Sequence, residues 1–196
     1  HEMHTTAFWL TLKEAFLNSA CTFERSDLLD GVVGLAYCLH HVAPLYLMCD
    51  LRDIDRCVGD RAGTWFARPA EDEQGRYTMQ PTEAAENEGL SESWMRLNND
   101  GPLSVSPGSS ALAGLSLFEP TLFLYDNYPG GMGFSSALYD LFPQIIARVA
   151  QMLEACPCES GCPGCVGPPQ EVGSRAREVA LAVARQLSQV APPALV

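Results

Sequence analysis

The run Cys156-Pro157-Cys158-Glu159-Ser160-Gly161-Cys162-Pro163-Gly164-Cys165 places four of the chain's eight cysteines within ten residues. Four thiolates this close can converge on one tetrahedral Zn²⁺, which takes sulfur ligands at about 2.3 Å. The Pro and Gly residues between them supply the tight turns that convergence needs. Two disulfides are the alternative, but cysteines as near as Cys156 and Cys158 bridge poorly because disulfide geometry is demanding. An iron–sulfur cluster also takes four cysteines, although this spacing follows neither common ferredoxin pattern. With sulfur in every position no site is left for water, so a bound zinc would be structural. The knuckle would join the helix that ends near Glu154 to the one that starts near Ser174.

Working outward from the knuckle, the pattern predicts an α+β fold, a small sheet packed by several helices. Helical spacing is expected over 134–154, with a kink near Pro143, and over 174–190. Upstream, Thr121-Leu122-Phe123-Leu124-Tyr125 has the apolar character of a buried strand, and residues 5–12 are rich in strand formers. Val32, Leu35, Ala36, Leu39 and Val42 recur at helical spacing, which predicts a helix over 28–48 capped by Ser26 or Asp27 and bent or restarted at Pro44. Asp50-Leu51-Arg52-Asp53-Ile54 is expected as a polar exit from it. Residues 69–110 are dense in Glu, Pro, Gly and Ser with little periodicity, so a long loop or partly disordered insertion is expected there, with 69–100 mobile.

Composition narrows the function. The chain has 196 residues, enough for a substantial core, and a net charge of -12 from 24 acids and 12 bases. Phosphate contacts need Lys and Arg, so an autonomous nucleic-acid binder is disfavoured. Lys13 is the single lysine. After Cys165 the balance turns slightly basic, through Arg175, Arg177 and Arg185, making the last helix the expected place for any DNA contact. The polar start His1-Glu2-Met3-His4 lacks a basic n-region, so no secretory leader is expected, and no apolar run is expected to reach the length of a membrane span. Clustered thiols without a secretory signal point to a reducing cytoplasm and a metal. The other cysteines, Cys21, Cys38, Cys49 and Cys57, are scattered, and Cys38 is expected as a small buried hydrophobe.

Two further groups are candidates. Pro129-Gly130-Gly131-Met132-Gly133 lies between a strand and a helix, where a tight packing turn competes with a phosphate or partner-backbone contact. It matches neither G-x-G-x-x-G nor the Walker loop. Asp50, Asp53 and Asp126 could gather at one sheet end around Mg²⁺, as in a metal-dependent nuclease, or could cap turns and pair with Arg52 and Arg56. His40 and His41 are adjacent on a helix and point to different faces. No G-x-S-x-G is present, and no catalytic residue is assigned.

The order Leu122-Phe123-Leu124-Tyr125-Asp126-Asn127-Tyr128-Pro129-Gly130-Gly131-Met132-Gly133-Phe134, a helix of about twenty residues, then Cys156-x-Cys158 and Cys162-x-x-Cys165, resembles the C-terminal zinc-binding (MZB) domain of the mitomycin-repair-factor family of DEAD/DEAH-box helicases. The helix ending Met48-Cys49-Asp50-Leu51-Arg52-Asp53-Ile54 also fits that pattern. The resemblance makes residues 1–196 one MZB-like domain with its knuckle at 156–165, and residues 58–114, which do not resemble the family core, an acidic, loop-rich insertion. It carries Cys156, Cys158, Cys162 and Cys165 over as ligands of one zinc. It implies a helicase whose two RecA-like domains precede this one and which moves 3′ to 5′ on single-stranded DNA in repair. This chain has no phosphate-binding loop or DExH box, so alone it is not expected to hydrolyse ATP. Its expected partners are helicase core domains in cis or a helicase subunit in trans, single-stranded DNA through the parent protein, and no membrane. A partner subunit or interaction module of an anti-phage defence helicase complex is the alternative setting.

Overall fold

Pro120–Asp126 forms the strand around which the rest of the chain is arranged. The structure is a computed structural model that describes residues 3–20, 23, 25–60, 65–71, 77–81, 119–168 and 172–190. In chain order the elements are β1 (Ala7–Thr11), α1 (Glu14–Ala20), α2 (Arg25–Leu47), β2 (Ile54–Asp60), β3 (Trp65–Glu71), β4 (Tyr77–Pro81), β5 (Pro120–Asp126), α3 (Phe134–Ala155) and α4 (Ala176–Val190). The sheet has five strands in the order β1-β5-β2-β3-β4, and every pairing is antiparallel.

Register sets which side chains enter the core. β5 pairs β2 from Ile54↔Asp126 to Asp60↔Pro120, and β1 from Ala7↔Tyr125 to Thr11↔Thr121. Side chains alternate across a strand. One face therefore carries Phe8 of β1, Leu122 and Leu124 of β5, and Ile54, Arg56 and Val58 of β2, all buried. The helices cover that face, with Phe8 meeting Phe142 of α3 at 5.3 Å between ring centroids. α2 runs through the middle of the core and buries Val32, Leu35, Ala36, Cys38, Leu39 and Val42. α4 lies close against it: a Cβ added at Gly31 would sit 2.2 Å from Val179 Cγ1, so that crossing depends on the missing side chain.

Several expectations change. The helix expected at 28–48 starts three residues earlier, placing Ser26 and Asp27 in its first turn, and it continues through Pro44 to Leu47. By length and composition Asp27–Leu47 could cross a membrane, contrary to the sequence reading, yet here most of it is buried as a core helix. α1 was not expected, although Glu14-Ala15-Phe16-Leu17 are acceptable helix formers. The largest correction concerns the supposed insertion at 58–114. β2 is a central strand reaching Asp60, and β3 and β4 extend the same sheet. Buried Arg56 takes an inward position between Ile54 and Val58, which hides the apolar alternation. The remainder of the acidic stretch, 82–118, lies outside the described residues, so its expected mobility does too.

Candidate metal centre

Cys156 ends α3. Its backbone is extended (φ -70, ψ 125), and its N–H donates to Met152 O, so the chain leaves the helix and turns at once. Cys162 and Cys165 close the second half, with Cys165 N–H and Gly167 N–H both donating to Cys162 O at 2.9 and 3.1 Å. Gly161, at φ 148, lies against Val166 and Gly167 O, where a Cβ would come within 2.8 Å of Val166 Cγ2. The turn therefore needs glycine both for its backbone and for its packing.

These turns bring four sulfurs together. Sγ separations are 3.3 Å for Cys156–Cys158, 3.7 Å for Cys156–Cys162, 3.5 Å for Cys158–Cys165 and 3.5 Å for Cys162–Cys165. All four lie within 4.8 Å of one another. A tetrahedron with Zn–S bonds of about 2.3 Å has its sulfurs roughly 3.8 Å apart, whereas a disulfide needs about 2.05 Å. The spacing suits one zinc ion, and the described cysteines are all free. Among the described residues this is the one group of His, Cys, Asp or Glu side chains placed to hold a metal.

The sulfurs also polarise one another. Hydrogen bonds from the Cys158 backbone and thiol bring Cys156 down to about 7. Burial, then the hydrogen bond with Cys156, pushes Cys158 up to about 12. Burial also raises Cys165. A metal entering this site must displace the protons these thiols retain, so its binding weakens as pH falls.

The knuckle is tied to the body of the protein. Tyr37 of α2 donates from its hydroxyl to Pro163 O at 2.9 Å and stacks on His41 at 4.2 Å between ring centroids. Cys165 and Val166 are buried in the main core. Arg177 of α4 donates from Nη2 to Leu153 O at 2.9 Å and Cys156 O at 2.7 Å. His40 is a core histidine. Arg56 Nη1 lies 2.8 Å from its Nδ1, and since arginine can only donate, Nδ1 accepts; Nε2–H then donates to Ile54 O at 2.9 Å. Burial, with Arg56 beside it, lowers His40 to about 4, so the ring is neutral.

The structure does bring Asp50, Asp53 and Asp126 to one end of the sheet, but it uses their oxygens there. Asp126 Oδ2 accepts from the backbone N–H groups of Met132, Gly133 and Phe134 at 2.5, 2.9 and 3.3 Å, and Oδ1 accepts from Ser135 Oγ. Asp50 Oδ1 accepts from Arg52 N–H, while Asp53 accepts from Asp50 N–H and the Tyr128 hydroxyl. The glycine loop is thus the tight packing turn. Gly130, Gly131 and Gly133 all have positive φ, and a Cβ on Gly131 would lie 2.3 Å from Thr6 Oγ1. The N-terminus of α3, where a phosphate could have docked, already holds the carboxylate of Asp126. The arginines at and within the last helix are engaged as well: Arg175, just before α4, pairs with Asp27 and Glu178, and Arg185 with Glu154.

Residues 97–166 match the family model of the MrfA Zn-binding domain (MZB). The chain is 28% identical over 187 residues to an uncharacterized ATP-dependent helicase, YprA, of Bacillus subtilis (strain 168); the match covers 95% of this chain and 17% of that protein. Among solved structures it resembles the DUF1998 helicase MrfA bound to DNA, at 23% identity and a TM-score of 0.50, over 85% of this chain and 15% of that one. A second structure of MrfA, bound to DNA and AMPPNP, matches at 24% identity and a TM-score of 0.47 over 94% of this chain and 16% of that one. The chain therefore spans less than a fifth of the length of the curated relative it matches.

Proposed function

We propose that this chain is a non-catalytic, zinc-binding accessory domain of a superfamily 2 DNA helicase, bracing the motor as the parent protein moves along single-stranded DNA during repair in the cytoplasm. One observation carries the reading. The four sulfurs at the end of α3 have the spacing of a tetrahedral zinc site, and they lie within the segment that matches the MrfA Zn-binding domain. The bracing role follows from how the site is built. It pins α3 to α4 beneath α2 and presents no open coordination position for chemistry. A place in cis is favoured because nearly the whole chain aligns within one longer helicase relative. The nuclease alternative loses its ligands, since the oxygens of Asp50, Asp53 and Asp126 hold turns and a helix start.

The test belongs in the parent protein. Cys162→Ser there should reduce DNA-stimulated ATP hydrolysis and unwinding while nucleotide binding persists, and the domain alone should hydrolyse no ATP. Unwinding at the normal rate by a parent protein that has lost its zinc would overturn the proposal.

A further inference from the structure

Arg177 is half-buried in the second residue of α4, and its position is unusual for a cation. Among the described residues it faces no carboxylate. Its side-chain acceptors are two backbone carbonyls, Leu153 O and Cys156 O, at the end of α3 and on the first cysteine of the cluster. Its Nε is buried and has no acceptor. Its own backbone N–H reaches Ser160 O within the knuckle at 3.4 Å. The nearby arginines, Arg175 just before the helix and Arg185 within it, are neutralised in the ordinary way, by Asp27 and Glu178 for Arg175 and by Glu154 for Arg185.

A cation withdrawn from water is normally balanced by an anion. Two sources of negative potential meet at Arg177: the C-terminal carbonyls of α3 and the thiolates beside them. Four thiolates on one Zn²⁺ leave two units of negative charge on the centre. We infer that Arg177 is the counter-charge and positioning residue of the metal centre. Its Nη2 holds the carbonyls of Leu153 and Cys156, fixing the backbone of Cys156, while its charge offsets that of the tetrathiolate. The N-terminus of α4, which begins at Ala176, adds positive potential from the same side. Outer-shell partners of this kind change metal affinity by about 10- to 100-fold.

This inference rests on the zinc reading of the cluster, and the experiment separates the two. Zinc content of the purified chain is measured first, and then the rate of zinc transfer to a chromogenic chelator for wild type, Arg177→Met, Arg177→Lys and Arg185→Met. Wild type should carry zinc. Arg177→Met should release it roughly tenfold faster or more. Arg177→Lys keeps the charge on a shorter, non-planar head that cannot reproduce the Nη2 contacts, and should fall between. Arg185→Met removes a side-chain tie between α3 and α4, to Glu154, that contacts no knuckle backbone, and should release zinc at the wild-type rate. In the Co²⁺-substituted protein, the sulfur-to-metal charge-transfer band should shift in Arg177→Met and not in Arg185→Met. Zinc-loaded wild type with Arg177→Met within twofold of it, or Arg185→Met as fast as Arg177→Met, would overturn the assignment while leaving the zinc reading intact. Absence of zinc from wild type would overturn both.

Discussion

Two buried ionisable side chains on α2 pull the pH dependence of stability in opposite directions. Burial, and secondarily Asp27, raise Asp30 from 3.8 to about 7. Its native form therefore keeps a proton that the unfolded chain has lost, and its contribution to stability declines as pH rises from about 4 towards 7. His40 is lowered from 6.5 to about 4. Its native ring stays neutral where the unfolded one is charged, so its contribution is present above pH 6.5 and lost as pH falls towards 4. That loss is on the order of 3 kcal/mol at most. Asp30→Asn should stabilise the protein at pH 8 by one to a few kcal/mol, on the order of its ionisation penalty. It should also steepen the loss between pH 7 and pH 5, because His40 then acts unopposed. Urea midpoints of the zinc-loaded proteins at these pH values decide it; equal midpoints at pH 8 would mean that Asp30 ionises there without penalty. Asp126→Ala should cost about 1–3 kcal/mol, because it strands the donors at the start of α3. At this scale the sequence was uneven. Four cysteines in ten residues declare themselves through spacing, whereas nothing in the order of residues announces that Asp126 caps α3 or that Arg177 reaches back to Cys156.

At the scale of elements, α2, α3, α4, β1 and β5 were legible because their apolar residues follow the period of 3.6 or form a short apolar block. β2 was not, since Arg56 occupies an inward position and Asp55, Cys57 and Gly59 alternate with it. Its place in the sheet is a property of pairing with β5, which local pattern does not contain. β3 and β4 are hidden for a related reason: Pro69 within β3 and Pro81 at the end of β4 mimic loop composition. The crossing of α2 and α4 gives a direct check on the packing. Gly31→Ala should push α4 away from α2, because the added Cβ meets Val179 Cγ1. Overpacking of this kind costs about 1–3 kcal/mol, against the modest gain in helix propensity that alanine brings. Denaturant unfolding should show net destabilisation, and pairing it with Val179→Ala should recover part of the loss. A stabilised Gly31→Ala would contradict the close crossing.

For the molecule as a whole, the knuckle is where sequence-distant parts are fastened. α3 enters it, α4 leaves it, and Tyr37 of α2 is bonded to Pro163 within it. Structural zinc contributes on the order of 10 kcal/mol to such sites near neutral pH, comparable with the stability of an entire domain. Cys162→Ser should therefore release α4 first, seen as faster proteolysis after Cys165, while the segment before Leu153 is less affected. Chelation should have the same effect and be easier at acid pH, where the thiols regain protons. The central claim is one zinc ion held by Cys156, Cys158, Cys162 and Cys165. Zinc-edge X-ray absorption on the chain purified without chelator tests it most directly. The expected result is a zinc shell of four sulfurs at about 2.3 Å, with elemental analysis of the same sample giving one zinc per chain. A shell containing nitrogen or oxygen, or a normally folded metal-free chain with these cysteines in disulfides, would contradict it.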